Sequence, residues 1–217
     1  MPENHGGYTY RHDLTVIANQ TQWKHIMINF KQSRLARQLV ASTLLAVVAG
    51  VVTPVFAEST TAPITEAEVV AAETSWGSGL VQIGDVFTKG GDFKAAASTF
   101  IDEHYAFNDG TVLFKPTKAA VDEFREDKQQ ALSYFVGGME PEDHGFAINP
   151  WSKVRFDNKG FYIDEDSAIA MGNYYFTDAK TGKDVKVDFT MGFKRAPSDG
   201  HLELFLQHSS LPYEPKH

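Results

Sequence analysis

The run Leu204-Phe205-Leu206-Gln207-His208-Ser209-Ser210-Leu211-Pro212 ends an apolar stretch on an amide, an imidazole and two hydroxyls, then a proline. Such groups can donate, accept and pass protons near neutral pH. Two readings are open. The strand leaves the core at this point, or its polar end faces a pocket in which chemistry happens. Upstream, Thr117 and Tyr134 carry hydroxyls of the same kind. Each of these residues also has a plain structural reading. Thr117 reads as a helix N-cap, and Tyr134 as a boundary tyrosine with a packed ring and a wet hydroxyl. His208 reads as a hydrogen-bonded structural histidine, and Ser209-Ser210 as a strand-end turn.

Side-chain parity bears on the choice. On a regular strand His208 shares a face with Leu202, Leu204 and Leu206, and Ser210 continues that face. Gln207 and Ser209 fall opposite, with Glu203 and Phe205. An ordinary sandwich would then put His208 in the core and Ser209 in water. A closed-up sheet can cover both faces.

The elements that must position these residues follow from spacing. Thr65 and Glu68 fit a capping box. Val69, Ala72, Trp76, Leu80, Ile83 and Phe87 then repeat at helical intervals. Gly77 and Gly79 are expected to weaken or bend this helix, and Gly90-Gly91 to stop it. Asp92 caps a second helix with Phe93, Ala97, Phe100 and His104 on one side. Asn108-Asp109-Gly110 is a turn and 111–114 a short strand. A third helix is expected from near Thr117, with Val121, Phe124, Leu132 and Phe135 on its buried stripe and Gly137-Gly138 at its end. From there the period changes to two, with strands near 152–157, 160–163, 166–176, 184–195 and 201–209. Asn158-Lys159-Gly160 and Thr181-Gly182-Lys183 read as hairpin turns. Helices first and an antiparallel meander afterwards make the fold α+β. Three helices followed by such a sheet suggest a cone, in which a strongly curved, mostly antiparallel sheet wraps about three N-terminal helices and its mouth offers a pocket.

Composition excludes several functions. The chain has 217 residues and a formal charge of −8. That acidity, without a basic cluster outside the N-terminal region, argues against nucleic acid. The absence of cysteine removes disulfides, thiolate metal sites and thiol nucleophiles. The eight histidines form no H-x-H or H-x-x-x-H pair. Zinc or manganese assembled from distant residues is left without support from ligand spacing. No G-x-S-x-G elbow, phosphate loop or dinucleotide fingerprint occurs.

Residues 31–57 read as a cleavable export signal. Lys31, Arg34 and Arg37 precede the apolar stretch Leu39–Val52, and Val55-Phe56-Ala57 forms a small-residue cleavage site. Residues 1–26 are a polar extension, and Met27 would make a more ordinary start. Domains are thus expected as extension and signal over 1–57, linker over 58–64, and one cone-fold domain over 65–217. Removing 1–57 takes away five of the 20 basic residues and two of the 28 acidic ones, moving the charge from −8 to −11. The mature protein is expected in the periplasm and off the membrane.

The runs FNDGTVLFKPT (107–117), YFVGG (134–138), DHGFAINPWSKVRFDNKGF (143–161) and QHSSLPY (207–213) resemble the iota-class carbonic anhydrases across essentially all of 65–215. The resemblance implies a SnoaL/ketosteroid isomerase-like cone, often dimeric, that interconverts carbon dioxide and bicarbonate. It implies a threonine, a tyrosine and a serine hydrogen-bonding bicarbonate. These positions correspond to Thr117, Tyr134 and Ser209, with His208 and Ser210 beside them and Thr111 as the alternative threonine. The family pattern commonly has a second histidine before His-Ser-Ser, where this chain has Gln207. Metal-dependent and metal-free members are both described, and the residues here fit the metal-free version. Tyr134 or His208 could be the general base.

Two other functions stand beside this one. A cone-fold module could bind an apolar ligand or oligomerise without catalysis, or an isomerase could use Asp188 or Glu203 as its base. A hydroxyl-lined pocket favours the carbonic anhydrase, and a purely apolar one the binding module.

Overall fold

The computed structural model describes residues 62–215. The expected signal and extension over 1–57, and the linker residues 58–61, lie outside them. Helix α1 spans Glu66–Thr88. Its start is the expected capping box: Thr65 Oγ1 accepts from the Glu68 backbone N–H at 3.3 Å, and the Glu68 carboxylate accepts from that of Thr65 at 2.9 Å. The helix runs through Gly77 and Gly79 as one element. Gly79 is there for contact, since a Cβ would stand 2.7 Å from the Phe100 ring of the next helix. That helix, α2, spans Phe93–His104 under the Asp92 cap.

Strand β1 (Leu113–Lys115) follows, and then the expected third helix is displaced. Helix α3 spans Lys128–Val136 with Asp127 as its cap, so Thr117 caps nothing. Val121 and Phe124, expected on the buried stripe, are 90% and 54% exposed. The reason lies in competing partners. The Glu142 carboxylate accepts the backbone N–H groups of Ala120, Val121 and Asp122 at 2.8–3.0 Å. Buried Arg125 donates to the carbonyls of Asp122 and Phe124 and to Asp143. Backbone groups held in this way are not free for a helical ladder.

Four long strands complete the fold: β2 (Trp151–Ile163), β3 (Ser167–Asp178), β4 (Asp184–Arg195) and β5 (Leu202–Ser210). The sheet order is β1-β5-β4-β3-β2, antiparallel except for the short parallel pair β1–β5. Thr181-Gly182-Lys183 does turn β3 into β4, with the Asp178 carboxylate accepting from the N–H groups of Lys180 and Thr181. Asn158-Lys159-Gly160 makes no hairpin turn. It is a register shift inside one 13-residue strand. A second shift sets Gly192 opposite Leu206 and Phe193 opposite Leu204, leaving Phe205 as an extra residue on β5. Bulges of this kind bend and twist a sheet. The result is the curved α+β sheet of a cone fold, with an aromatic core between its inner face and the helices. Trp76, Phe100, Tyr105, Phe114, Phe135, Tyr174 and Phe176 are all buried there.

Candidate active site

The Phe205 bulge decides which residues of β5 face inward. Before it, Leu202 and Leu204 point into the core. After it the alternation is inverted, so Gln207 and Ser209 are buried while His208 is exposed. This corrects the regular-strand parity, which put His208 with the leucines. Gly192 makes room for the bulge, since a Cβ there would meet the Phe205 ring at 2.7 Å and Leu206 Cβ at 3.0 Å.

Inside the cone a small hollow is walled by Trp76, Phe114, Pro116, Thr117, Tyr134, Phe135, Phe146, Tyr174, Gln207 and Ser209. About 10 Å³ is open to the centre of a water-sized sphere, roughly the room of one water. A steroid-sized ligand does not fit. Thr117 arrives on the irregular segment after β1, Tyr134 on α3, and Ser209 at the end of β5. Thr117 comes beside Ser209 because β1 pairs with β5, with Phe114 opposite Gln207 and Lys115 opposite His208. Lys115 Nζ adds a bond to the Ser209 carbonyl at 3.3 Å.

Of the five expected site residues, the structure brings Thr117, Tyr134 and Ser209 onto the hollow. His208 and Ser210 lie on the outer face, where Thr190 and Asp188 are their cross-strand partners. The alternative threonine, Thr111, lines an outer groove. Among the described residues, no Asp or Glu lines the hollow. Asp188 faces outward beside Asn173, and Glu203 stands near His201, so neither is the deep base an isomerase needs.

Tyr174 and Gln207 were missed as site residues. On β3 the inward positions are Ala168, Ala170, Gly172, Tyr174 and Phe176. A single hydroxyl among apolar inward residues is a usable signal, because a buried phenol needs a partner. That partner is Ser209, whose Oγ is hydrogen-bonded to the Tyr174 hydroxyl. Gln207 accepts from the Tyr105 hydroxyl, which in turn accepts from the Trp76 indole N–H at 3.0 Å.

Burial dominates the electrostatics. It pushes the Tyr174 phenol up to about 12, against hydrogen bonds from Ser209, Gln207 and Thr117 that favour the ionised form. It pushes Tyr134 higher still, aided by Tyr174 and opposed by the Lys118 backbone and the Thr117 side chain. Both phenols therefore keep their protons across the physiological range. The hollow offers neutral groups that donate and accept at once. Among the described residues, no group of three or more His, Cys, Asp or Glu is arranged to hold a metal ion.

Comparison with known proteins agrees with this chemistry. The family model described as metal-independent carbonic anhydrase matches residues 67–211. A curated protein of that name from Nostoc sp. strain PCC 7120 is 44% identical over 156 residues, covering 70% of this chain and 75% of the relative. A crystal structure of a cyanobacterial iota-carbonic anhydrase complexed with bicarbonate is 42% identical, with a TM-score of 0.67. That match covers 70% of this chain and 95% of the other.

Proposed function

The chain belongs to the metal-independent carbonic anhydrase family, and from that premise we propose that Thr117, Tyr134 and Ser209, with Tyr174, carry the hydration of carbon dioxide. The water oxygen bonds to the carbon of carbon dioxide, and one C=O electron pair moves onto its oxygen. Ser209 donates to the oxygen on which charge gathers. The water's proton passes to Thr117 and on through the Tyr134 hydroxyl. Tyr134 also lines an outer cleft with Glu142, Asp143 and His144, through which the proton reaches solvent. No phenolate is needed, since a hydroxyl can accept one proton while releasing another. Preorganised donors at a developing oxyanion are each worth about 10²–10³ in kcat.

One observation carries this assignment: hydroxyl-bearing residues from four separate segments line one hollow that, among the described residues, has no carboxylate in its wall. The test is stopped-flow hydration by the purified protein, with and without chelator. Ser209→Ala and Tyr134→Phe should each lower kcat/KM at least about a hundredfold, and chelation should leave the rate unchanged. Full activity in both variants would remove these residues from the site. Activity lost to chelation and restored by zinc or manganese would remove the metal-free mechanism.

We also propose that the protein is exported to the periplasm after cleavage at Ala57 and acts as a homodimer. The basic-then-apolar run 31–57 supports export. The outward sheet face, which exposes Tyr162 and Met171, supports pairing.

A further inference from the structure

The hollow and the cleft outside it share two side chains, Tyr134 and Phe146. Their rings are stacked, with centroids 5.4 Å apart and planes 17° from parallel. Both residues are nearly buried, so this pair is the wall between the two spaces. On the same measure the cleft holds about 510 Å³ and the hollow about 10 Å³. Carbon dioxide and bicarbonate are both larger than one water, so neither enters the hollow until a wall moves. Phe146 is suited to be that wall. Its main chain is fixed, since its N–H donates to the Tyr134 carbonyl at 2.9 Å and its carbonyl accepts from the Trp151 indole at 2.8 Å. Its ring makes no hydrogen bond, so turning it breaks none. On the core side the ring meets Phe176 and Trp151, at 5.1 and 5.4 Å between centroids. The Lys118 ammonium, 5.9 Å from the ring centroid, belongs to the lining of the cleft.

We infer that the Phe146 ring is the gate between cleft and hollow, and that it limits the site to carbon dioxide and bicarbonate by refusing larger carboxylates. The inference rests on the assignment of the hollow as the bicarbonate site made above. Two further facts agree. The carboxylates of the cleft are already taken, Glu142 by three backbone N–H groups and Asp143 by Arg125. With those charges satisfied, the Lys118 ammonium beside the ring draws an anion to the gate. The wall on the other side is tighter. Phe114 borders both the hollow and the outer groove, but it lies in β1, paired to β5, and its carbonyl accepts from the Arg125 backbone N–H at 2.9 Å.

The chain has no cysteine, so one introduced thiol can be labelled alone. Asn149 is exposed and lines the cleft. A bulky maleimide on Asn149→Cys in the full-length protein should lower kcat/KM at least about tenfold, in hydration and dehydration alike, since access to a closed site limits that ratio. Leu113 is exposed and lines the outer groove. The unlabelled Asn149→Cys protein, and Leu113→Cys carrying the same maleimide, should stay within about twofold of the unmodified protein. Full activity in labelled Asn149→Cys, or an equal loss in labelled Leu113→Cys, would overturn the route. Size selection is read with benzoate. Phe146→Ala leaves a phenyl-sized void, and apolar voids of that kind take up aromatic rings. Benzoate should then compete with bicarbonate at least about tenfold more tightly than in the unmodified protein. Equal inhibition of the two proteins would overturn the gate. The label needs no change in the core, so it decides the route even if Phe146→Ala does not fold. Ser209→Ala separates the two claims. If it loses activity while labelled Asn149→Cys does not, the gate fails and the bicarbonate site stands. If Ser209→Ala is fully active, both fail.

Discussion

At the scale of single residues, burial separates the polar side chains that line the hollow from those on the outer face. His208 and Ser210 face outward. His208→Ala and Ser210→Ala should each leave kcat/KM for hydration within about twofold, against the about hundredfold loss expected at Ser209. A large loss in His208→Ala would return the imidazole to the mechanism. The phenols make a second prediction. Tyr174 is held up at about 12 by burial, and Tyr134 is raised for the same first reason. The hydration profile should therefore show no phenol inflection between about pH 7 and pH 10. An inflection there that vanished in Tyr134→Phe would mean that a phenolate is the working form. The residue types of the site were legible in the sequence, as was the resemblance that pointed to Thr117, Tyr134 and Ser209. Tyr174 was not, because it sits in a strand rich in aromatic side chains and its role depends on a partner on β5, 35 residues away in the chain.

At the scale of elements, three contacts hold the hollow in shape. The first is Gly192 against the Phe205 bulge. Gly192→Ala forces a Cβ to 2.7 Å from the ring and should destabilise by about 1–3 kcal/mol in urea unfolding. Activity should fall with it, since the bulge is what turns Ser209 inward. The second is the clasp on the segment carrying Thr117. Arg125 is buried, with Asp143 at 2.6 Å, its side chain 3% exposed. Arg125→Met leaves that carboxylate buried and unpaired and should cost about 3–5 kcal/mol.

The third contact joins α1 to the β2 bulge. Buried Glu73 accepts from Asn158 Nδ2 at 2.7 Å, and among the described residues its second oxygen and Asn158 Oδ1 have no partner. One proton on Glu73 would satisfy both orphans as an acid–amide pair. Burial pushes this carboxyl up to about 7, with the Asn158 bond opposing. A carboxyl raised on folding favours the folded state fully below its unfolded value near 4.5. That contribution is lost as pH rises from there through about 7. At pH 8 Glu73→Gln should be more stable than the unmodified protein by up to about 3 kcal/mol. Near pH 4 the two should be equal. Melting curves at the two pH values check this, and equal stability at both would mean that Glu73 ionises freely.

At the scale of the whole molecule, the proposed homodimer predicts a sedimentation mass twice that of the chain. A charged pair on the outer face, Tyr162→Lys with Met171→Lys, should return it to the chain mass without unfolding it. A mass already equal to one chain would end that proposal. Much of this molecule was set by the sequence itself. The capping box at Thr65, the Asp92 cap, the turn at Gly182 and the alternation of β4 depend on residues a few positions apart. The absence of cysteine and of paired histidines is a matter of composition. What only the tertiary structure decided is where the polar ends point. Segment 117–127 is not helical because Glu142 and Arg125 take its backbone groups. The end of β5 is inverted because one extra residue, seated over a glycine of the neighbouring strand, shifts the alternation by one. With a period of two, a single inserted residue exchanges inside for outside, so Ser209 rather than His208 comes to face the hollow.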